Sequence, residues 1–173
     1  STPIKLAVHG AAGRMGRRVV ALASEDSSFQ IVAAIEQDGS PLIGQDAGDV
    51  AAIANLGVAV SHQWPENADV VIDFSLPTAV DACVKKCVER AVPLVVATTG
   101  LSETQKSSLA DAAHTVPIVW APSMSMAVNL TMKLAQQVTE TLKDVAGGID
   151  VEILERHHRF KADAPSGTAL RFG

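Results

Sequence analysis

Short apolar, β-branched runs alternate along this chain with longer stretches whose apolar positions recur at helical spacing. IKLAVH (4–9) predicts a strand, and RMGRRVVALAS (14–24) a helix that tolerates Gly16 near its start. QIVAAIE (30–36) predicts a second strand. The segment from Gln37 to about Ala54 reads as a loop, with Gly39, Pro41, Gly44 and Gly48. GVAVS (57–61) predicts a short strand and DVVIDFS (69–75) a longer one. Pro77 then opens a helix running to about Arg90. PLVVATTG (93–100) and PIVWAP (117–122) are further strands, and Ser102 caps the helix between them, with Gln105 in capping-box position. These strands are continuously apolar rather than alternating, as expected where helices cover both faces of a parallel sheet. The order strand, helix, strand thus predicts a doubly wound α/β domain with right-handed crossovers.

The pattern changes after Pro122. A long helix from about Ala127 to Val145 carries an apolar stripe at Val128, Met132, Ala135, Val138, Leu142 and Val145, and Gly147 and Gly148 end it. IDVEILERHH (149–158) predicts a strand of a second, different sheet. The first domain is therefore expected over residues 1–126. Residues 127–173 are expected to begin a second, α+β domain.

Bulk properties narrow the function classes. The 173 residues suit one domain, or one domain plus part of another, and 47% apolar residues suffice for a core. A net charge of −5 argues against nucleic acid as the main partner. No apolar run has the length of a membrane span, and no signal-peptide pattern is visible. The two cysteines, Cys83 and Cys87, share a face of a predicted helix and read as buried small residues rather than a metal clip. A cytoplasmic protein is the simplest expectation.

Chemistry enters at VHGAAGRMG, which sets Gly10, Gly13 and Gly16 between the first strand and the first helix. Glycine lets the backbone approach a pyrophosphate, and a helix N-terminus offers free N–H groups and partial positive charge. The spacing is G-x-x-G-x-x-G rather than G-x-G-x-x-G, so context strengthens it: a strand before, a helix after, and Glu36 closing the second strand. A carboxylate there accepts hydrogen bonds from adenosine ribose hydroxyls, which makes the domain Rossmann-like. Gln37 is neutral and Glu36 repels a 2′-phosphate, so residue type leans toward NADH, while Arg14 and Arg17 leave NADPH open. DFSLP (73–77) and ATTG (97–100) fall at strand carboxyl ends, where Thr98, Thr99 and Gly100 are placed to contact ribose and nicotinamide. Ordinary turn chemistry explains any one of them equally well.

The other concentration of chemistry is ERHHRFKADAPSGTAL (155–170). Hydride transfer to a C=C or C=N bond leaves negative charge, or a basic nitrogen, to be protonated. A histidine, His157 or His158, and Lys161 are suited to that task. Arg159 and the backbone around Ser166, Gly167 and Thr168 suit carboxylate binding. Together they point to a small, multiply carboxylated substrate. The adjacent histidines, His157 and His158, would face opposite sides of a strand, so one of them is open to a structural role. No third ligand stands at convincing spacing, and no metal is expected. PSGT is equally able to cap a helix starting near Ser166.

GAAGRMG and ERHHRFKADAPSGTAL, with DFS, ATTG and APSMSMAVN in the same order, make the chain resemble the dihydrodipicolinate reductase (4-hydroxy-tetrahydrodipicolinate reductase) family over essentially its whole length. The resemblance implies NAD(P)H-dependent reduction of a cyclic dicarboxylate, 4-hydroxy-tetrahydrodipicolinate, to tetrahydrodipicolinate in lysine and diaminopimelate biosynthesis. It implies His157 as general acid and Lys161 as second cationic catalytic group, with His158, Arg159, Gly167 and Thr168 on the substrate carboxylates. It places Gly10, Arg14, Met15, Glu36, Thr99 and Gly100 on the cofactor, with Ser123 and Met126 also cofactor-binding, and Ser123 and Ala127 near the nicotinamide where the domains join. Ser123 and Ala127 stand where the family usually has Asn and Gly, and Gln37 replaces a basic residue that some members use for NADPH. The family is a homotetramer assembled through its C-terminal domain. Its members continue beyond the position matched by Gly173, so 127–173 is expected to be a partial substrate-binding and oligomerisation domain. A non-catalytic dinucleotide-binding fragment is the alternative expectation.

Overall fold

The computed structural model describes residues 2–121, 123–159 and 164–173. They divide into two compact units, the first ending at Trp120 and the second beginning at Ala121. The first unit contains strands β1 (Ile4–His9), β2 (Phe29–Ile35), β3 (Val60–Ser61), β4 (Val70–Asp73), β5 (Leu94–Val96) and β6 (Ile118–Trp120). Its helices are α1 (Arg14–Glu25), α2 (Ala47–Val50), α3 (Pro77–Glu89) and α4 (Glu103–Ala112).

The six strands form one sheet in the order β3-β2-β1-β4-β5-β6, with every neighbouring pair parallel. The chain winds outward from β1 to β3, then crosses back to β4 and winds the other way. This is the Rossmann-like doubly wound arrangement, and its order reverses between β1 and β4. In open α/β sheets the crevice at such a reversal, at the strand carboxyl ends, is where ligands bind.

Continuous apolarity has the predicted physical cause. Leu6 and Val8 are buried with Val20, Ile31 and Ala34 in one core layer. Ala7 and Val71 are buried with Val80, Cys83, Leu94 and Leu109 in the other. Burying each such Val or Leu contributes about 1.5–3 kcal/mol. Ser102 makes the predicted capping box with Gln105.

Two local readings differ from the sequence expectation. The loop-like stretch contains α2, which Asp46 organises by accepting from Gly48 N at 2.8 Å, Leu56 N at 2.9 Å and Val58 N at 3.0 Å. A helix this short has almost no periodicity to read, and its anchor reaches ten or more residues along the chain. The expected strand over 149–158 is absent: those residues are neither helix nor strand. A strand exists only where another strand pairs with it. The described elements of the second unit are two helices, α5 (Met126–Leu142) and α6 (Gly167–Phe172), which offer no ladder. The α5 stripe is also only partly covered. Val128, Met132 and Ala135 are half-buried, whereas Val138, Leu142 and Val145 are exposed.

Helix α1 begins hard against the turn that precedes it. A Cβ on Gly16 would lie 2.0 Å from the Gly10 carbonyl oxygen and 2.7 Å from Ala11 Cα. Alanine normally gains about 1 kcal/mol over glycine within a helix. Here the clash with fixed backbone outweighs that gain, and Gly16→Ala is expected to destabilise the first unit by about 1–3 kcal/mol. Urea unfolding followed by Trp64 and Trp120 fluorescence checks this; a raised midpoint would contradict the close approach.

Candidate functional site

The turn between β1 and α1 is built from backbone. Gly10 has φ +75°, and its N–H donates to Ile35 O at 2.9 Å, as does that of Ala11 at 3.1 Å. A Cβ on Gly10 would lie 2.8 Å from Phe74 O and 2.9 Å from Ser75 Cα, so only glycine lets the β1 and β4 loops meet. Gly13 is the N-cap of α1 and supplies no side-chain cap. The first N–H groups of α1 therefore keep their capacity for an external acceptor. Arg14 and Met15, in that first turn, are exposed, and Arg17 Nε donates to Ala12 O at 2.7 Å. A pyrophosphate fits this cradle: the backbone is bare, the helix end is uncapped, and the macrodipole favours an anion.

Glu36 stands directly after β2, beside this turn. Its Oε2 accepts from Ala12 N at 3.2 Å and its Oε1 from Gln37 N at 3.0 Å. A carboxylate has about four lone-pair sites. Glu36 is thus oriented by two backbone donors and retains acceptors for a pair of hydroxyls.

Beneath the same edge lies a polar group that sequence reasoning missed. His9 ends β1, Asp73 ends β4, and the two are direct register partners. His9 Nδ1 and Asp73 Oδ1 are 2.6 Å apart, Thr98 Oγ1 donates to Asp73 Oδ2 at 2.7 Å, and Ser75 N lies 3.3 Å from Asp73 Oδ1. Asp73 is fully buried. Burial pushes its carboxyl up, but the hydrogen bonds from His9, Ser75 and Thr98 together outweigh that and hold it below the ordinary carboxylate range. The signal was present, since both strands end on a titratable residue at the same height, but it looks like the start of a loop.

Cys83 Sγ also lies within 4.8 Å of the His9 and Asp73 ligand atoms. The 2.6 Å contact is nevertheless a hydrogen bond. Two ligands on one tetrahedral Zn²⁺ stand roughly 3.3 Å apart, given metal–ligand bonds of about 2.0 Å. Thr98 is placed differently from expectation: its hydroxyl faces inward to Asp73, whereas Thr99 and Gly100 are exposed, with Gly100 at φ +76°. Gly10, Gly13, Arg14, Met15, Gly16, Glu36 and the Thr98–Gly100 turn all come to the carboxyl-end edge of the sheet.

The second unit holds the remaining candidates. Ser125 caps α5 by accepting from Val128 N at 3.3 Å. Asn129 Nδ2 donates to Ser123 O at 2.9 Å and Ser125 O at 2.8 Å, which fixes Ser123 against the helix start. Met126 is exposed. His157 Nε2 is 2.7 Å from Glu155 Oε2, and Glu155 Oε1 accepts from Ser166 N at 2.8 Å. One carboxylate thus ties the histidine to the start of α6. The hydrogen bond with His157, then those from Ser166, hold the Glu155 carboxyl down at about 2. Ser166 is buried and caps α6 by accepting from Ala169 N at 3.1 Å. Gly167 and Thr168 follow as the first two helical residues, whose N–H groups have no intrahelical partner. His158 and Arg159 are exposed. Lys161 lies outside the described residues.

Comparison with known proteins bears directly on this geometry. Residues 4–124 match the family model for the dihydrodipicolinate reductase N-terminus, and residues 127–173 match that for its C-terminus. A 4-hydroxy-tetrahydrodipicolinate reductase of Rhodopirellula baltica is 64% identical over 99% of this chain and 63% of its own length. That of Alkalilimnicola ehrlichii is 45% identical over 98% of this chain and 63% of its own length. The chain therefore spans a little under two thirds of the curated relatives it matches. Among solved structures, the dipicolinate-bound dihydrodipicolinate reductase from Paenisporosarcina sp. TG-14 superimposes with a TM-score of 0.74 at 26% identity, covering 98% of this chain and 64% of that one. With both units matched by models of one family, and a relative 64% identical over almost the whole chain, the chain belongs to the dihydrodipicolinate reductase family.

Proposed function

We propose that this chain carries the dinucleotide half, residues 1–126, and the first part of the substrate half, residues 127–173, of an NAD(P)H-dependent 4-hydroxy-tetrahydrodipicolinate reductase acting in lysine and diaminopimelate biosynthesis. The observation that carries the reading is the Gly10–Gly16 turn at the β1/β4 reversal, with Glu36 bound back onto Ala12. The dinucleotide, when bound, supplies the hydride. Gly10, Gly13 and Gly16 admit the pyrophosphate to the start of α1, flanked by Arg14 and Met15. Glu36 accepts from the adenosine ribose hydroxyls. Thr99 and Gly100 border the nicotinamide.

His157 and Lys161 hold and deliver the proton and screen the negative charge that hydride addition creates. Glu155 keeps the His157 ring oriented. His158, Arg159 and the first N–H groups of α6, at Gly167 and Thr168, hold the substrate carboxylates. The Paenisporosarcina relative is described as bound to dipicolinate, a cyclic dicarboxylate, which supports this substrate class. A homotetramer is proposed from the family resemblance. A cytoplasmic setting accords with a biosynthetic reductase whose two cysteines, Cys83 and Cys87, are free. Among the described residues no helix is long and apolar enough to cross a membrane.

The Glu36 carboxylate beside neutral Gln37 favours NADH over NADPH. Calorimetric titration of the full-length protein is expected to give saturable binding of both, with NADH tighter. Glu36→Gln is expected to narrow the ratio by relieving repulsion of the 2′-phosphate. A ratio that does not move would sink the role of Glu36.

Because the Glu155 carboxyl is lowered in the fold, its contribution is complete above its ordinary value of 4.5 and is lost as pH falls toward about 2. The Ser166 amide proton, followed by NMR, is expected to titrate with a midpoint near 2, and Glu155→Gln to abolish that titration. A midpoint at the ordinary value would contradict the tie.

For Lys161, the expectation is that Lys161→Ala in the full-length protein lowers kcat by 10²-fold or more, about the scale of a general acid–base group. Cofactor affinity should change little. Equal loss of both in steady-state kinetics and binding would remove its catalytic role.

A further inference from the structure

We propose that His9 is a positioning residue: with Asp73 and Thr98 it forms a buried side-chain tie that holds three dinucleotide-facing loops in register. The proposal rests on the dinucleotide reading above and extends it to a residue outside the glycine motif.

Each member of the tie immediately precedes a loop. His9 precedes Gly10, Asp73 precedes Phe74 and Ser75, and Thr98 precedes Thr99 and Gly100. The backbone links alone run pairwise, Phe74 N to His9 O at 3.0 Å and Ala97 N to Asp73 O at 2.9 Å. The side chains join all three through one carboxylate: His9 at 2.6 Å on Oδ1 and Thr98 at 2.7 Å on Oδ2. Ser75 N adds a third contact from the β4 loop itself. The loops leave little slack, since Gly10 meets the Phe74–Ser75 backbone with no room for a Cβ.

A sheet interior does not need such a group for cohesion. Well-packed apolar residues of similar volume often stabilise a fold as well as a buried ionic pair does. What an apolar substitute lacks is direction. Hydrogen bonds at fixed lengths and angles define where each strand end stops, and a chain of them through a fully buried carboxylate admits few alternatives. The His9 ring is itself steered from outside the sheet by Trp64, with ring centroids 5.2 Å apart and planes at 46°. Asp73 therefore receives its partners from β1, from its own loop and from the loop after β5, while Trp64 packs against the histidine.

The test is dinucleotide affinity and unfolding midpoint, measured together in the full-length protein for wild type, His9→Leu, His9→Asn and Thr98→Val. Asparagine places an N–H donor about where Nδ1 stands, so it can still reach Asp73; leucine cannot. The expectation is that His9→Leu, which leaves the buried Asp73 carboxylate one donor short, lowers the urea midpoint and weakens NADH binding about tenfold or more, and that His9→Asn restores most of the affinity. Thr98→Val, which keeps the shape and removes the hydroxyl, should weaken binding in the same direction. Unchanged affinity in both His9→Leu and Thr98→Val overturns the proposal. So does a loss of affinity that tracks lost stability and is not restored by asparagine, since that is the mark of a packing role alone. If His9→Leu does not fold, the comparison of His9→Asn with Thr98→Val decides in the same terms. Wild type that binds neither NADH nor NADPH would be a different failure, that of the dinucleotide reading itself, and the tie would fall with it.

Discussion

Everything at the site depends on where β1 stops. This strand is hydrogen-bonded on both sides, to β2 and to β4, and covered on both faces. It has no freedom to slide or twist independently, because a one-residue slip would exchange its two faces and expose the core. The chain leaves it at Gly10, between the Ile35 carbonyl and the Phe74–Ser75 backbone. The position of the glycine turn, and hence of the α1 N-terminus, is inherited from that one buried strand. The Glu36 carboxylate is placed by the neighbouring strand in the same way, and its hydrogen bond to Ala12 closes the loop between the two.

Polar groups do a second job that burial cannot. Hydrophobic packing is non-directional and tolerates small displacements. A ligand cradle made of N–H groups does not tolerate them. The structure answers with carboxylates at the points where loops must be aligned: Asp46 between α2 and the segment leading into β3, Asp73 at the centre of the sheet edge, and Glu155 between His157 and α6. Each gathers donors from more than one point along the chain, Asp73 from the most distant. Satisfying a carboxylate this way holds its charge and its neighbours together, which is why all three are pushed toward the ionised form.

This division explains what the sequence could and could not reveal. Burial leaves a pattern in the residue types. IKLAVH coincides with β1, the Ser102–Gln105 capping box formed, and the glycine spacing found its turn. Side-chain ties leave no pattern. His9 and Asp73 are far apart in the chain, and only the parallel pairing of β1 with β4 makes them neighbours. Asp46 is in the same position, so α2 read as loop. The strand expected at 149–158 failed for a related reason. Its apolar residues are real, and Val151 and Ile153 are exposed, but strand formation depends on a partner that local sequence does not specify. The stripe on α5 likewise shows that a helix forms and which residues share a face, not what covers that face.

The two units consequently hold their functional residues by different means. In the first, the site rests on a core whose residues are almost wholly removed from water, so loop geometry follows from strand geometry. In the second, no residue of α5 or α6 is fully buried. Order there comes from caps and a charge-assisted hydrogen bond: Ser125 and Asn129 at the start of α5, and Ser166 with Glu155 at the start of α6. Such contacts open at lower free energy than a packed core does. A histidine with the proton-transfer role proposed for His157 would gain from standing on a more easily opened segment, provided one strong tie sets its resting orientation. The Glu155 carboxylate, ionised throughout the neutral range and shared between His157 and the α6 start, is that tie.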